Sequence, residues 1–307
     1  MKSLVKQLLR PVYRCLITKP LLEYRFKHNP QKLATNVYKN VFGKEANLDN
    51  PQDLIEKIIW LQFNSDTSLW TLCADKYRVR NFVEERGYGD TLCKLYGRWD
   101  NARDIDFDML PDKFVLKTNN SCGQIFIVKD KRKLNISKVR NRLNDWLRKG
   151  YGKEGGQMHY TRIEPCVIAE EYLETASNGS LVDYKIWCFN GHPECILVCF
   201  DRSVEVGNRH YCLSMFDRQW NNISDKALNK SGVHFSGIDL PKPANLDKML
   251  DTASVLSKGF PEVRVDLYNI NGRIVFGEMT FTTGYGSYNP SFYEYLGSKI
   301  ILPSSIQ

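Results

Sequence analysis

No apolar run in these 307 residues approaches the roughly 20 needed to cross a bilayer, so no transmembrane helix is expected. The first residues, MKSLVKQLLRPVYRCL, lack the unbroken apolar stretch and small-residue cleavage site of a signal peptide. There is no CxxC pair, and the nine cysteines scattered from Cys15 to Cys212 are an odd number. That pattern argues against a zinc ribbon, a redox motif and a disulfide framework, leaving free thiols in a reducing cytoplasm. Repeats and low-complexity tracts are missing, as is a phosphate-binding loop of the form GxxxxGK[ST]. What remains is ordinary globular usage, 42% hydrophobic and 25% charged, enough for one large domain or two to three small ones.

Charge is unevenly placed. The formal net charge is +8, and residues 1–32 carry eight lysines and arginines against Glu23 alone, so nearly the whole excess sits in one arm. Lys2, Lys6, Arg10 and Arg14 recur every four residues opposite a stripe from Leu4 to Ile17, interrupted near Pro11. This predicts an amphipathic helix with a cationic face. Such a helix either lies on an anionic membrane, each basic residue contributing about 1 kcal/mol there, or packs its stripe on the body of the protein. Nucleic acid is not an expected partner, since no aromatic stacking platform or basic recognition helix follows.

Residues 1–110 read as mostly helical, with 53–64 and 75–89 the clearest helices. FVLK (114–117) and QIFIVK (124–129) form a strand–turn–strand around TNNSCG; a helix follows over 137–152 and a buried strand over 166–173. Hairpins are expected around Asn190-Gly191 and Asn271-Gly272, with 203–262 a loop plus the helix LDKMLDTASVLSKGF. The fold class is α+β.

The last hairpin is richest in chemistry. Alternation puts Arg264 and Asp266 on one strand face, and Glu278 and Thr280 share a face on the return strand, before TTGYG. Two carboxylates on adjacent strands with an arginine suit a Mg²⁺–phosphate site; they equally suit a cross-strand Arg264–Glu278 salt bridge. Lys117 ends a strand just before a loop of small residues, Asn119 to Gly123, which reads either as a phosphate-covering loop or as a plain hairpin turn. Glu170-Glu171-Tyr172-Leu173 closes a buried strand, and Asp183 and Lys185 sit two apart on the next. Asp104, Asp106 and Asp108 match the D-x-D string of metal-dependent glycosyltransferases, which keeps that function as an alternative.

Taken in order, strand-lysine, small loop, E-E-x-L, D-x-K, R-x-D and E-x-T resemble the ATP-grasp superfamily. The chain is most similar to the TupA-like ATP-grasp proteins of bacterial polysaccharide and teichuronopeptide clusters. The similarity runs over about residues 70–290 and includes DKYRVRNFV (75–83), LPDKFVLKTNNSCG (110–123), VIAEEYLE (167–174), DYKIWCFNG (183–191), VRVDLY (263–268) and GEMTFTTG (277–284). It implies an ATP-grasp fold, so that behind the basic arm (1–35) read from the charge would come a helical region (36–110), a small subdomain with the nucleotide hinge (111–175) and a C-terminal subdomain (176–307). It also implies ATP and Mg²⁺ as cofactors. Lys117 and Lys185 would meet ATP phosphates, with Asn119, Ser121, Cys122 and Gly123 folding over them, and Asp183 would also belong to the nucleotide site. Glu170, Glu171, Leu173 and Glu174 would form the adenine hinge. Arg264 would face the transferred phosphoryl group, with Lys185 beside it. Arg202, or less readily Arg209, would grip a substrate carboxylate. Asp266, Glu278 and Thr280 would hold metal, Thr280 offering a hydroxyl where relatives have an asparagine.

The implied activity is a carboxylate–amine ligase acting through an acyl phosphate. Its expected substrates are an amine and a uronic acid or peptide, free or linked to a lipid or nucleotide. Its expected place is the cytoplasm, peripheral to the inner membrane face. The Thr280 replacement motivates a second alternative, a degenerate ATP-grasp scaffold without activity.

Overall fold

The two Asn-Gly hairpins supply four of the five strands of the larger of two antiparallel sheets in the computed structural model, which describes residues 19–174, 180–205, 208–232 and 234–303. Asn190 and Gly191 take φ of 51° and 81°, and Asn271 and Gly272 take 52° and 87°. Both turns thus have the pair of left-handed residues that matches the twist of a two-residue hairpin. The basic helix expected from Lys2 to Ile17 lies outside the described residues, as does the Arg209 side chain.

The first helices are α1 (Lys19–His28), α2 (Pro30–Phe42), α3 (Leu54–Asn64), α4 (Ser68–Ala74) and α5 (Val79–Glu85). The smaller sheet contains β1 (Leu95–Trp99), β2 (Phe114–Thr118), β3 (Ile125–Val128) and β4 (Val167–Glu171) in the order β1-β4-β2-β3. Helices α6 (Ile136–Lys149) and α7 (Met158–Thr161) lie between β3 and β4 in the chain. The larger sheet contains β5 (Asp183–Phe189), β6 (His192–Glu205), β7 (Asn208–Asp217), β8 (Val263–Ile270) and β9 (Arg273–Thr280) in the order β7-β6-β5-β8-β9. Between β7 and β8 run α8 (Ser224–Ala227) and α9 (Leu246–Ser257), and α10 (Pro290–Ser298) follows β9.

One expectation gains a detail and one is corrected. The helices described before residue 110 are joined by one strand, β1, which pairs with β4 as an edge strand. Its sequence, LYGRW, is half-buried throughout, so it shows no in-and-out alternation, and Gly97 gives way to the Trp99 indole that lies across it. The 203–262 stretch also holds a long strand, β7, which pairs with β6 from Cys195↔Asp217 to Glu205↔Asn208.

Each sheet has its own core. In the smaller sheet the inward residues Phe114 and Leu116 meet Val139 and Leu143 of α6, while the alternate positions Val115 and Lys117 face the other way. The larger sheet buries Ile186, Val265 and Leu267 together with Met249, Ala253 and Leu256 of α9. Burying such side chains contributes about 1.5–3 kcal/mol each. Helix α3 begins at a capping box: Asp53 accepts from the Ile55 and Glu56 amides, both at 2.9 Å, and also from the Tyr38 hydroxyl at 2.6 Å. Helix α10 packs onto that same turn through Gly297, where an added Cβ would stand 2.2 Å from the Gln52 carbonyl oxygen.

Because backbone rather than a flexible side chain fills that space, Gly297→Ala is expected to lower stability by about 1–3 kcal/mol, the range for overpacking. A thermal melt checks this, and an unchanged midpoint would contradict the close α3–α10 contact.

Candidate active site

Directly opposite residues of antiparallel strands share a face. On the smaller sheet Val115 pairs with Ile127 and with Glu170, and Lys117 pairs with Ile125 and with Ile168, so one face carries four aliphatic side chains, a lysine and a glutamate. Ile125 and Ile127 are 44% and 57% exposed, an unusual state for isoleucine in a strand. They form an open apolar shelf beside an ion pair. Lys117 Nζ binds Glu170 Oε2, and Arg80 of α5 approaches the other oxygen at 3.5 Å. Burial works against the Lys117 ammonium, but Glu170 outweighs it and holds the lysine charged above its ordinary value.

The turn after β2 is built by its own side chains. Asn119 is fully buried, donating from Nδ2 to the Glu164 carbonyl at 2.9 Å and accepting at Oδ1 from the Cys166 amide at 2.8 Å. Its side chain is therefore committed to the scaffold. The Ser121 hydroxyl bonds Thr118 Oγ1 at 2.6 Å, Cys122 is exposed, and Gly123 takes φ 74°.

On the larger sheet the register aligns Lys185 with Asp266, Asp266 with Glu278, and Arg264 with Thr280. Three strands thus present their polar residues together. Gly277 permits the close approach of β9, since a Cβ there would lie 2.9 Å from the Asp266 carbonyl oxygen. Arg264 grips Asp266 with two bonds, Nε to Oδ1 at 2.7 Å and Nη2 to Oδ2 at 2.8 Å, and donates to Thr283 Oγ1 at 2.9 Å. Lys185 Nζ also binds Asp266 Oδ2 and sits 2.7 Å from Asp183. Arg202 reaches Asp183 Oδ2 at 2.7 Å. The cross-strand Arg264–Glu278 salt bridge is absent among the described residues, because Asp266, two positions along the same strand, captures both sides of the guanidinium fork.

Glu278 has a different partner, one that sequence reasoning missed. Lys76, between α4 and α5, approaches Glu278 Oε2 at 3.1 Å and donates to the Ser121 carbonyl at 2.9 Å. Although burial opposes ionisation, Lys76, Lys185 and Arg264 together hold the Glu278 carboxyl at about 2. Both Lys76 and Arg80 lie in the segment DKYRVRNFV, whose basic residues were the available signal.

Other candidates stay outside the cluster. Glu171 pairs with Arg273 at 3.4 Å, Glu174 pairs with Lys113 at the surface, and Leu173 is half-buried beside them. Asp104, Asp106 and Asp108 are exposed in the segment before β2.

The chemistry follows from the charge count. Lys76, Lys185, Arg202 and Arg264 surround Asp183, Asp266 and Glu278, and Lys117 and Arg80 surround Glu170. Cations exceed carboxylates in both groups, which makes the face a receptor for polyanions. Asp266 and Glu278, opposed in register with the Thr280 hydroxyl 3.4 Å from Glu278, are oxygen donors of the kind Mg²⁺ takes. Among the described residues no group of three or more His, Cys, Asp or Glu side chains stands ready to hold a metal, so the remaining ligands must come from elsewhere. Phosphate oxygens are the usual supply. Nor is any helix among the described residues long and apolar enough to cross a membrane.

A family model described as TupA-like ATPgrasp matches residues 56–301. No curated protein matches the chain. Among solved structures, D-alanine–D-alanine ligase from Bacillus anthracis complexed with ATP is 18% identical with a TM-score of 0.46, over 75% of this chain and 65% of that one. An L-amino acid ligase from Bacillus licheniformis is 12% identical with a TM-score of 0.46, over 83% and 56%. The ADP complex of the N5-carboxyaminoimidazole ribonucleotide synthetase purK is 10% identical with a TM-score of 0.43, over 75% and 51%. The chain thus spans between about half and just under two thirds of each of these structures.

Behind Arg264 lies a buried carboxyl with no use in this arrangement. Glu262 is wholly buried, neither oxygen has a hydrogen-bond partner among the described residues, and burial pushes its pKa well above the ordinary value despite Arg264. The folded state therefore keeps its proton while the unfolded chain releases it above about pH 4.3, so stability falls as pH rises past that point. Glu262→Met is expected to raise the melting temperature, with a gain that widens from pH 5 to pH 8. A pH series of melts checks this, and a gain independent of pH would contradict a protonated Glu262.

Proposed function

The chain belongs to the TupA-like ATP-grasp family, and from that premise we propose that it is an ATP-dependent ligase that joins a carboxylate to an amine. The observation that carries this reading is the excess of cations around two opposed carboxylates, next to an open apolar shelf. A nucleoside triphosphate is a flat apolar ring with a polyanionic tail and a divalent cation, and each part has a counterpart here. The base would lie on Val115, Ile125 and Ile127, and the phosphates would meet Lys117 and Lys185. Asp266, Glu278 and Thr280 would hold Mg²⁺, which when bound neutralises charge on the transferred phosphoryl group.

In the proposed reaction a substrate carboxylate oxygen bonds the γ-phosphorus and ADP departs. The amine nitrogen then bonds the acyl carbon, phosphate departs with the carbon–oxygen bond, and nitrogen loses a proton. No side-chain nucleophile is required. Positioning and fixed charge carry the catalysis. Arg264, held in place by Asp266, would face the phosphoryl group, and Arg202 would bind the substrate carboxylate. For substrates we propose an amino acid or other amine and a uronic acid or peptide of a bacterial surface polysaccharide. The basic arm fits a lipid-linked acceptor at an anionic membrane surface.

The test is ADP release by the purified protein with Mg-ATP and paired panels of carboxylates and amines. Release is expected to need both substrates, and Arg264→Lys is expected to lower kcat by about 100-fold or more, the scale for losing one preorganised donor. Absence of ATP binding would overturn the proposal.

A further inference from the structure

Glu278 and Asp266 are the two carboxylates opposed across β8 and β9, yet neither has a free charge to offer a metal. Asp266 is saturated by the Arg264 fork and Lys185. Glu278 differs, because its charged partner comes from neither strand. Lys76 Nζ lies 3.1 Å from Glu278 Oε2 and 2.9 Å from the Ser121 carbonyl oxygen, and the Lys76 amide donates to the Asn119 carbonyl at 3.0 Å. One ammonium therefore joins the turn after β2 in the smaller sheet to β9 in the larger. Its side chain is only 14% exposed, so water screens this contact little.

We propose that Lys76 is an exchangeable counter-cation that holds Glu278 when no nucleotide is bound, so that a divalent cation enters only together with the phosphates of a nucleotide. The inference rests on the ATP reading above. An ammonium at 3.1 Å occupies the oxygen a metal would take, and two positive groups on one carboxylate repel strongly in a half-buried site. Arg264 of the neighbouring β8 and Lys185 of β5 beyond it add to that repulsion. A polyanion reverses the balance, since its oxygens compensate all these cations at once and bring ligands of their own. Metal and nucleotide then help each other bind by the same factor, as linkage demands. Lys76 acts here as a positioning residue: it controls which charge Glu278 sees, and through Ser121 it also fixes the turn beside the phosphates.

The experiment measures Mn²⁺ binding to the full chain by calorimetry and electron paramagnetic resonance, with and without a non-hydrolysable ATP analogue. Wild type is compared with Lys76→Arg, which keeps the charge, and Lys76→Gln, which keeps a donor for the Ser121 carbonyl but removes the charge. Lys76→Met, read in the same way, serves if the glutamine variant does not fold in a thermal melt. The neutral variants are expected to bind free Mn²⁺ at least ten-fold more tightly than wild type, while Lys76→Arg stays as weak as wild type. If a folded neutral variant binds free Mn²⁺ no more tightly, although wild type binds Mn²⁺ with the analogue, the inference alone is overturned. If wild type binds neither analogue nor Mn²⁺ under any condition, the ATP reading fails and takes this inference with it.

Discussion

Taking a charge out of water costs several kcal/mol, and the protein does so repeatedly within a few residues of β5, β8 and β9. Arg264, Asp266 and Asp183 are each less than a tenth exposed, and Lys185 is little more open. Such groups persist only when each is paired with good geometry, and that requirement fixes much of the surrounding structure. The bidentate Arg264–Asp266 pair needs two residues of one strand face. Lys185 must then come from the neighbouring strand in register, and Gly277 must let β9 close in so that Glu278 stands opposite Asp266.

The same demand shapes the smaller sheet. Lys117 can remain charged inside the fold because β4 places Glu170 beside it, with Arg80 on the far side of that carboxylate. The turn that follows is tied down by Asn119, whose amide satisfies the backbone at Glu164 and Cys166. That leaves the Ser121 carbonyl fixed in space and able to receive Lys76. Charge pairing and loop geometry are one arrangement, and the lysine from the helical region is the link between the sheets. Glu262 is the exception that shows the rule: lacking a partner, it is kept neutral by burial.

Much of this was legible in the linear order of residues. The two Asn-Gly hairpins, the helices at 54–64, 136–149 and 246–257, and the α+β class follow from turn chemistry and periodicity. So does the shared face of Arg264 with Asp266 and of Glu278 with Thr280, because period-2 alternation is local. β1 was hidden because a short, evenly half-buried edge strand has no alternation to read. β7 was hidden because its turn and flanks look like loop until β6 pairs with it.

By itself the sequence determined which residue types were available, their spacing on each strand, and the family they belong to. It did not determine partnership. Whether Arg264 would bind Glu278 or Asp266 depended on which carboxylate the guanidinium fork could meet in plane. That Glu278 would be held by a lysine 202 positions away depended on the turn between α4 and α5 bringing Lys76 between β9 and the turn after β2. Alternation is a property of the backbone of one strand, so it can be read along the chain. Ion pairing depends on distance and burial in three dimensions, and those exist only once the sheets have packed.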